Sequence, residues 1–143
     1  MPDDNVPELL AGAACEVLET MFFTCPLGDA ENGAAGEDPL HARVAFKGKH
    51  SGIFGLSVDG PSALAITSNF LGSGDEGEIA PEQVEDVVCE LANIICGTVL
   101  SRIDSAARFD IGHPELAVSA VEGPYERSLA LDDGTLTVSL GFE

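Results

Sequence analysis

The chain has 143 residues, with 25 acidic against 6 basic side chains and a formal net charge of -19. That length suits a single domain able to bury a core without disulfides or metals, and 45% hydrophobic residues fit a globular protein. So acidic a surface repels phosphate backbones and anionic lipid, which speaks against nucleic acid and membrane surfaces as partners and suits a partner that presents a lysine or arginine.

From Asn5 the sequence predicts a first helix running to Phe23, capped by Asp4 or Asn5, with Pro7 in its first turn and Leu10, Ala14, Val17, Leu18 and Met21 as its apolar stripe. Residues 27–39 are small, acidic and Gly-rich without periodicity, and read as a surface loop. Two strands follow, His41 to Phe46 and Gly52 to Val58, joined by a tight link containing Gly48. The second is apolar almost throughout and contains Gly52 and Gly55, which predicts a central strand closely approached by a helix. Asp59-Gly60-Pro61-Ser62 opens a short helix, which the Gly-rich stretch 72–77 ends.

The longest predicted helix is Pro81 to Asp104. Pro81 is tolerated in its first turn, Glu82, Glu85 and Asp86 suit the positive end of the helix dipole, and Arg102 suits the other end. At about 100° per residue, Val84, Val87, Val88, Leu91 and Ile95 share one face, while Asp86, Glu90, Asn93 and Gly97 share the opposite one. Three β-like runs follow, Leu116 to Val121, Ser128 to Leu131 and Thr135 to Phe142, the last two joined by an Asp132-Asp133-Gly134 hairpin turn. In the final run Leu136, Val138 and Leu140 alternate with Thr135, Thr137, Ser139 and Gly141, the pattern of a sheet with one wet face. The order α-β-β-α-α-β-β-β predicts an α+β fold, an antiparallel sheet with packed helices, filling residues 1–143 as one domain.

Several familiar chemistries lack their residues. Cys15, Cys25, Cys89 and Cys96 form no CxxC pair, and Cys89 and Cys96, seven residues apart on one helix, are separated by about 10.5 Å, too far for a disulfide. The acidic stretch 72–78 lacks the alternating carboxylates and distal Glu of a calcium loop. His41, His50 and His113 are scattered, no nucleophile elbow is present, and no Gly-rich stretch has the spacing of a phosphate cradle. The N-terminus is acidic where a signal peptide is basic, and no apolar run approaches the roughly 18 residues of a membrane span, so a cytoplasmic location is expected.

Glu90 and Asn93 stand apart from these. Three residues apart on a helix, they are neighbours on its surface. A polar pair can simply decorate an exposed helix face, but Asn is a poor mid-helix residue because its amide competes for backbone hydrogen bonds. Gly97, further along the same face, costs about 1 kcal/mol relative to Ala. Two unfavourable choices on one open face suggest that another surface comes close to it.

With Glu90-x-x-Asn93 in ELANIICG, EVLETMFF from Glu16 to Phe23, and this order of elements, the sequence resembles the CheC/CheX family of chemotaxis phosphatases, the CheX branch in particular. The resemblance implies that the substrate is the aspartyl phosphate of a CheY-like receiver domain. It implies that Glu90 docks on the receiver's lysine, that Asn93 orients the attacking water, and that Asp86 and Gly97 border the binding face. It further implies Mg²⁺ in the receiver, no cofactor in this chain, and a homodimer formed through sheet edges, for which the final strand looks exposed. The CheC branch carries two such motifs, whereas here Glu16 is followed by Glu19 and Glu19 by Phe22, so one site per chain is expected. The alternative is a non-catalytic module of the same fold that binds a receiver or a flagellar-switch component.

Overall fold

A computed structural model describes residues 5–30, 38–72, 76–121, 123–132 and 134–142. Asp4, most of the acidic loop, part of the 72–78 stretch and Asp133 of the hairpin turn lie outside the described residues. Helix α1 spans Val6–Met21, and strands β1, β2 and β3 follow at Gly28–Ala30, Leu40–Gly48 and Gly52–Val58. Helix α2 is Gly60–Leu71, a single 3-10 turn covers Glu76–Glu78, and helix α3 is Pro81–Ile103. Strands β4 (Phe109–Ile111), β5 (Glu115–Ala117), β6 (Tyr125–Ala130) and β7 (Thr135–Phe142) complete the chain. All pairings are antiparallel, in the order β1-β6-β7-β3-β2-β4, with β5 also on the outer side of β2. The expected α+β architecture is thus present, with two short strands added.

The core lies where one sheet face meets the helices. Val44, Phe54, Leu56, Val138 and Leu140 from the sheet are buried with Leu10 and Leu18 of α1 and Leu91 and Ile95 of α3. Helix α1 packs on β6 and β7, α3 packs on β2 and β3, and the two helices pack on each other. An ion pair between Arg102 of α3 and Glu16 of α1 crosses that contact. Helix α2 packs on α3, and its start is fixed by Asp59. This buried N-cap carboxylate accepts the Ser62 N–H at 3.0 Å and the Thr135 N–H at 2.8 Å, tying the helix to β7. Its oxygens occupy the space that a Cβ on Gly134 would need, so the turn before β7 requires glycine there. Asp59→Ala leaves two donors without their charged acceptor, and a loss of about 2–4 kcal/mol is expected in urea or thermal unfolding.

Several expectations need correction. Met21 is 44% exposed rather than part of the buried stripe, because α1 ends there and the chain turns through Phe22, which fills the core position instead. Asn5 stands at the N-cap of α1 but makes no side-chain cap hydrogen bond. Within the expected acidic loop, Gly28–Ala30 pairs with β6 as an edge strand, reinforced by Arg127–Asp29 at 2.6 Å. The surface closing on Gly55 is not a helix: a Cβ there would lie 2.6 Å from Val121 Cβ and 2.7 Å from Ser139 Oγ, so the segment after β5 crosses the sheet face opposite the helices. That crossing buries Ser139, whose hydroxyl donates to the Val121 carbonyl, so the far face of β7 is partly covered. Of the expected run from Leu116 to Val121, only Leu116 and Ala117 join the sheet, as part of β5. The final strand is no edge, since β7 lies between β6 and β3; the edges are β1 on one side and β4 with β5 on the other.

Candidate functional site

Helix α3 begins at Pro81, with the Gln83 side chain accepting the Ala80 N–H at 2.8 Å, half of a capping box. At the other end Asp104 accepts from Lys49 at 3.3 Å and lies 3.6 Å from His50 Nε2. The hydrogen bond from Lys49 is the main reason the Asp104 carboxyl is held below its ordinary range. The first contact caps the helix start and the second ties its end to the β2–β3 link, while its position and rotation are set by the burial of Val87, Val88, Leu91, Ala92, Ile95, Cys96, Val99 and Leu100. Val84 is only partly buried, at the margin of this face.

The opposite face emerges as expected. Asp86 and Glu90 are exposed, while Asn93 and Gly97 are half-buried. Spacings of three and four residues place all four along one line of the helix surface, with Glu90 and Asn93 at neighbouring positions about 5–6 Å apart at Cβ. Among the described residues, neither the Glu90 carboxylate nor the Asn93 side-chain amide has a hydrogen-bonding or ionic partner. Glu90 is exposed, and the Asn93 amide is not among the fully buried polar groups, so both are reachable by solvent. In contrast, Glu16 on α1, in the other helix that could carry such a motif, is already engaged by Arg102.

Gly97 is bordered by the β4 edge: a Cβ on it would lie 3.5 Å from Ile111 Cδ1, an ordinary contact. Packing within the chain does not demand glycine here. Gly97→Ala is expected to stabilise the fold by about 1 kcal/mol, read as a raised thermal midpoint, because alanine is the better helix former and meets no clash.

The thiols near the site are not poised for chemistry. Burial raises the Cys89 thiol above its ordinary value, and the Asp86 and Glu85 carboxylates add to the effect. Burial pushes Cys96 up to about 12. Neither is a thiolate at neutral pH, so covalent catalysis by cysteine has no support on this helix. Among the described residues, no group of three or more His, Cys, Asp or Glu side chains is placed to hold a metal ion, and no helix is long and apolar enough to cross a membrane. The face thus offers the Asp86 and Glu90 carboxylates and the Asn93 amide, groups suited to docking a cation and orienting a neighbouring molecule.

Sequence reasoning missed the side chains flanking this face, Ile111 and Leu116 from β4 and β5. The sequence marks Leu116 as the start of a β-like run, but nothing local links either residue to a helix about twenty positions earlier.

Known proteins share this fold. A family model described as chemotaxis phosphatase CheX matches residues 40–121, which include all of α3. The chain is similar in fold to a chemotaxis protein CheX from Desulfovibrio desulfuricans, at 20% identity and a TM-score of 0.76, covering 97% of this chain and 99% of that one. A chemotaxis protein CheX from Vibrio vulnificus is similar at 20% identity and a TM-score of 0.77, with 96% of each chain covered. The fold is also similar to a chain in a CheX–CheY–BeF₃–Mg²⁺ complex from Borrelia burgdorferi, at 21% identity and a TM-score of 0.70, covering 94% of this chain and 96% of that one. No curated protein matches the chain.

Proposed function

The chain belongs to the CheX family of chemotaxis phosphatases, and from that premise we propose that it removes the phosphoryl group from the aspartyl phosphate of a CheY-like receiver domain. The observation that carries the reading is the Glu90–Asn93 pair, without a hydrogen-bonding or ionic partner among the described residues, on a helix held in place by its buried face. A relative of the same fold in complex with CheY, BeF₃ and Mg²⁺ supports a receiver as the partner.

In this mechanism Glu90 forms an ion pair with the receiver's lysine and so sets the helix over the acyl phosphate. Asn93 then holds a water in line with the bond to be broken. An amide suits this task because it donates and accepts at once and does not titrate. A carboxylate at position 93 would place negative charge beside the phosphoryl group. Phosphoryl transfer asks the protein chiefly for positioning and electrostatic stabilisation. The receiver's own carboxylates hold the Mg²⁺, and this chain contributes no cofactor. Water attacks phosphorus, the bond from phosphorus to the aspartyl oxygen breaks, and inorganic phosphate leaves with the receiver's carboxylate regenerated. Asp86 extends the acidic docking face, and Gly97 keeps the helix surface low where the receiver approaches. The absence of Asn three residues after either Glu16 or Glu19 gives one site per chain.

The test is to add the purified chain to a phosphorylated receiver with Mg²⁺ and follow phosphate release. Acceleration supports the phosphatase reading, and its absence with every CheY-like receiver of the source genome would refute it.

A further inference from the structure

We propose that Ile111 and Leu116, on the two short strands outside β2, form an apolar rim that contacts the receiver beside the Glu90–Asn93 face and determines which receiver the chain accepts; this rests on the functional reading above. Both side chains point to the helix-bearing side of the sheet. Ile111 is the cross-strand partner of Phe46 and Leu116 that of Ala42, and both partners are buried in the core. Their own positions lie beyond the core's margin, leaving them 37% and 41% exposed.

Their placement along α3 follows from two contacts. Gly97 borders Ile111, opposite Phe46, and Asp104 meets Lys49, so α3 runs in the same direction as β2. From Phe46 back to Ala42 is about 13 Å of strand, and from Gly97 back to Glu90 is about 10.5 Å of helix. Leu116 therefore lies toward the Glu90 end of the motif as Ile111 lies at the Gly97 end, and α3 does pack against both β4 and β5. The exposed apolar pair runs alongside the motif for its whole length.

The occupant is fixed by what the two strips offer together. Asp86 and Glu90 call for a cation, and the chain as a whole is strongly acidic. An apolar strip beside that cation site calls for a partner whose lysine is bordered by apolar side chains. Such a rim excludes water from the ion pair and strengthens it, as the near-neutral surround of an interface hot spot does. A second acidic copy of this chain would instead bring like charges together.

The test pairs Ile111→Ser/Leu116→Ser with the wild type, using beryllofluoride-loaded CheY-like receivers of the source genome for binding and the phosphorylated receivers for turnover. The double variant is expected to raise Kd about tenfold while phosphate release at saturating chain stays at the wild-type rate, with each single variant giving part of the effect and Ile111→Val/Leu116→Met restoring affinity. Circular dichroism and the thermal midpoint verify that each variant is folded. An unchanged Kd in the folded variants, with wild type binding normally, overturns the rim and leaves the phosphatase reading intact. Altered self-association in light scattering with unchanged receiver affinity assigns the strip to a second copy and also overturns it. If the wild type neither binds nor accelerates any receiver, the functional reading fails and the rim fails with it.

Discussion

Asn93→Ala is expected to lower receiver dephosphorylation at saturation by at least about 100-fold, the order of loss when a reacting group is no longer held in its attack geometry. The variant should still bind. Asn93 is half-buried and has no hydrogen-bonding partner among the described residues, so its truncation breaks no internal hydrogen bond among them. Alanine is also the stronger helix former, and the thermal midpoint should stay near or slightly above wild type. A full rate with Asn93→Ala would place water positioning elsewhere on the chain.

Glu90→Lys acts on the other half of the mechanism. On the proposed reading its carboxylate meets the receiver's lysine, and reversing the charge replaces an attraction with a repulsion at the centre of the contact. Disrupting such a pair costs about 3 kcal/mol, or roughly a 100-fold weaker complex by titration calorimetry. Wild-type affinity should also fall as salt screens the pair, and the variant should lose most of that dependence. Glu90 is exposed, so stability offers no competing explanation for a loss of binding. An unchanged affinity would remove Glu90 from the docking role.

The two variants are expected to part cleanly, one affecting rate and the other affinity. Gly97→Ala belongs with the second: it should stabilise the free chain yet weaken docking, if the low helix surface at Gly97 serves the partner.

Much of this site was legible because a helix writes its buried face in a 3.6-residue period. Val87, Val88, Leu91 and Ile95 point inward, and that alone turns Asp86 and Glu90 outward. The strand β7 was equally legible in its alternation, since Leu136, Val138 and Leu140 are all buried. What alternation does not encode is a strand's neighbours. β7 looked like an edge because its other face carries Thr, Ser and Gly, yet that face is partly covered by the Val121 segment and both flanks are paired. Strands β1 and β4 escaped detection for a related reason. Each has three residues joined to the sheet through the backbone, too few for a period to show. The apolar border of the site, Ile111 and Leu116, depends on those long-range pairings and so emerges only from the fold. Asp59 is another such case, its carboxylate joining residues that are far apart in sequence, Ser62 and Thr135.

The most direct test of the central claim is the decay of a phosphorylated CheY-like receiver, free of phosphodonor and with Mg²⁺ present, in the presence of a small fraction of its amount of the chain. The account predicts decay that quickens in proportion to added chain, each copy clearing many receivers, and that returns to the intrinsic rate when Asn93→Ala is substituted. A receiver that binds the chain but decays at its intrinsic rate would contradict it and make the chain a binding module.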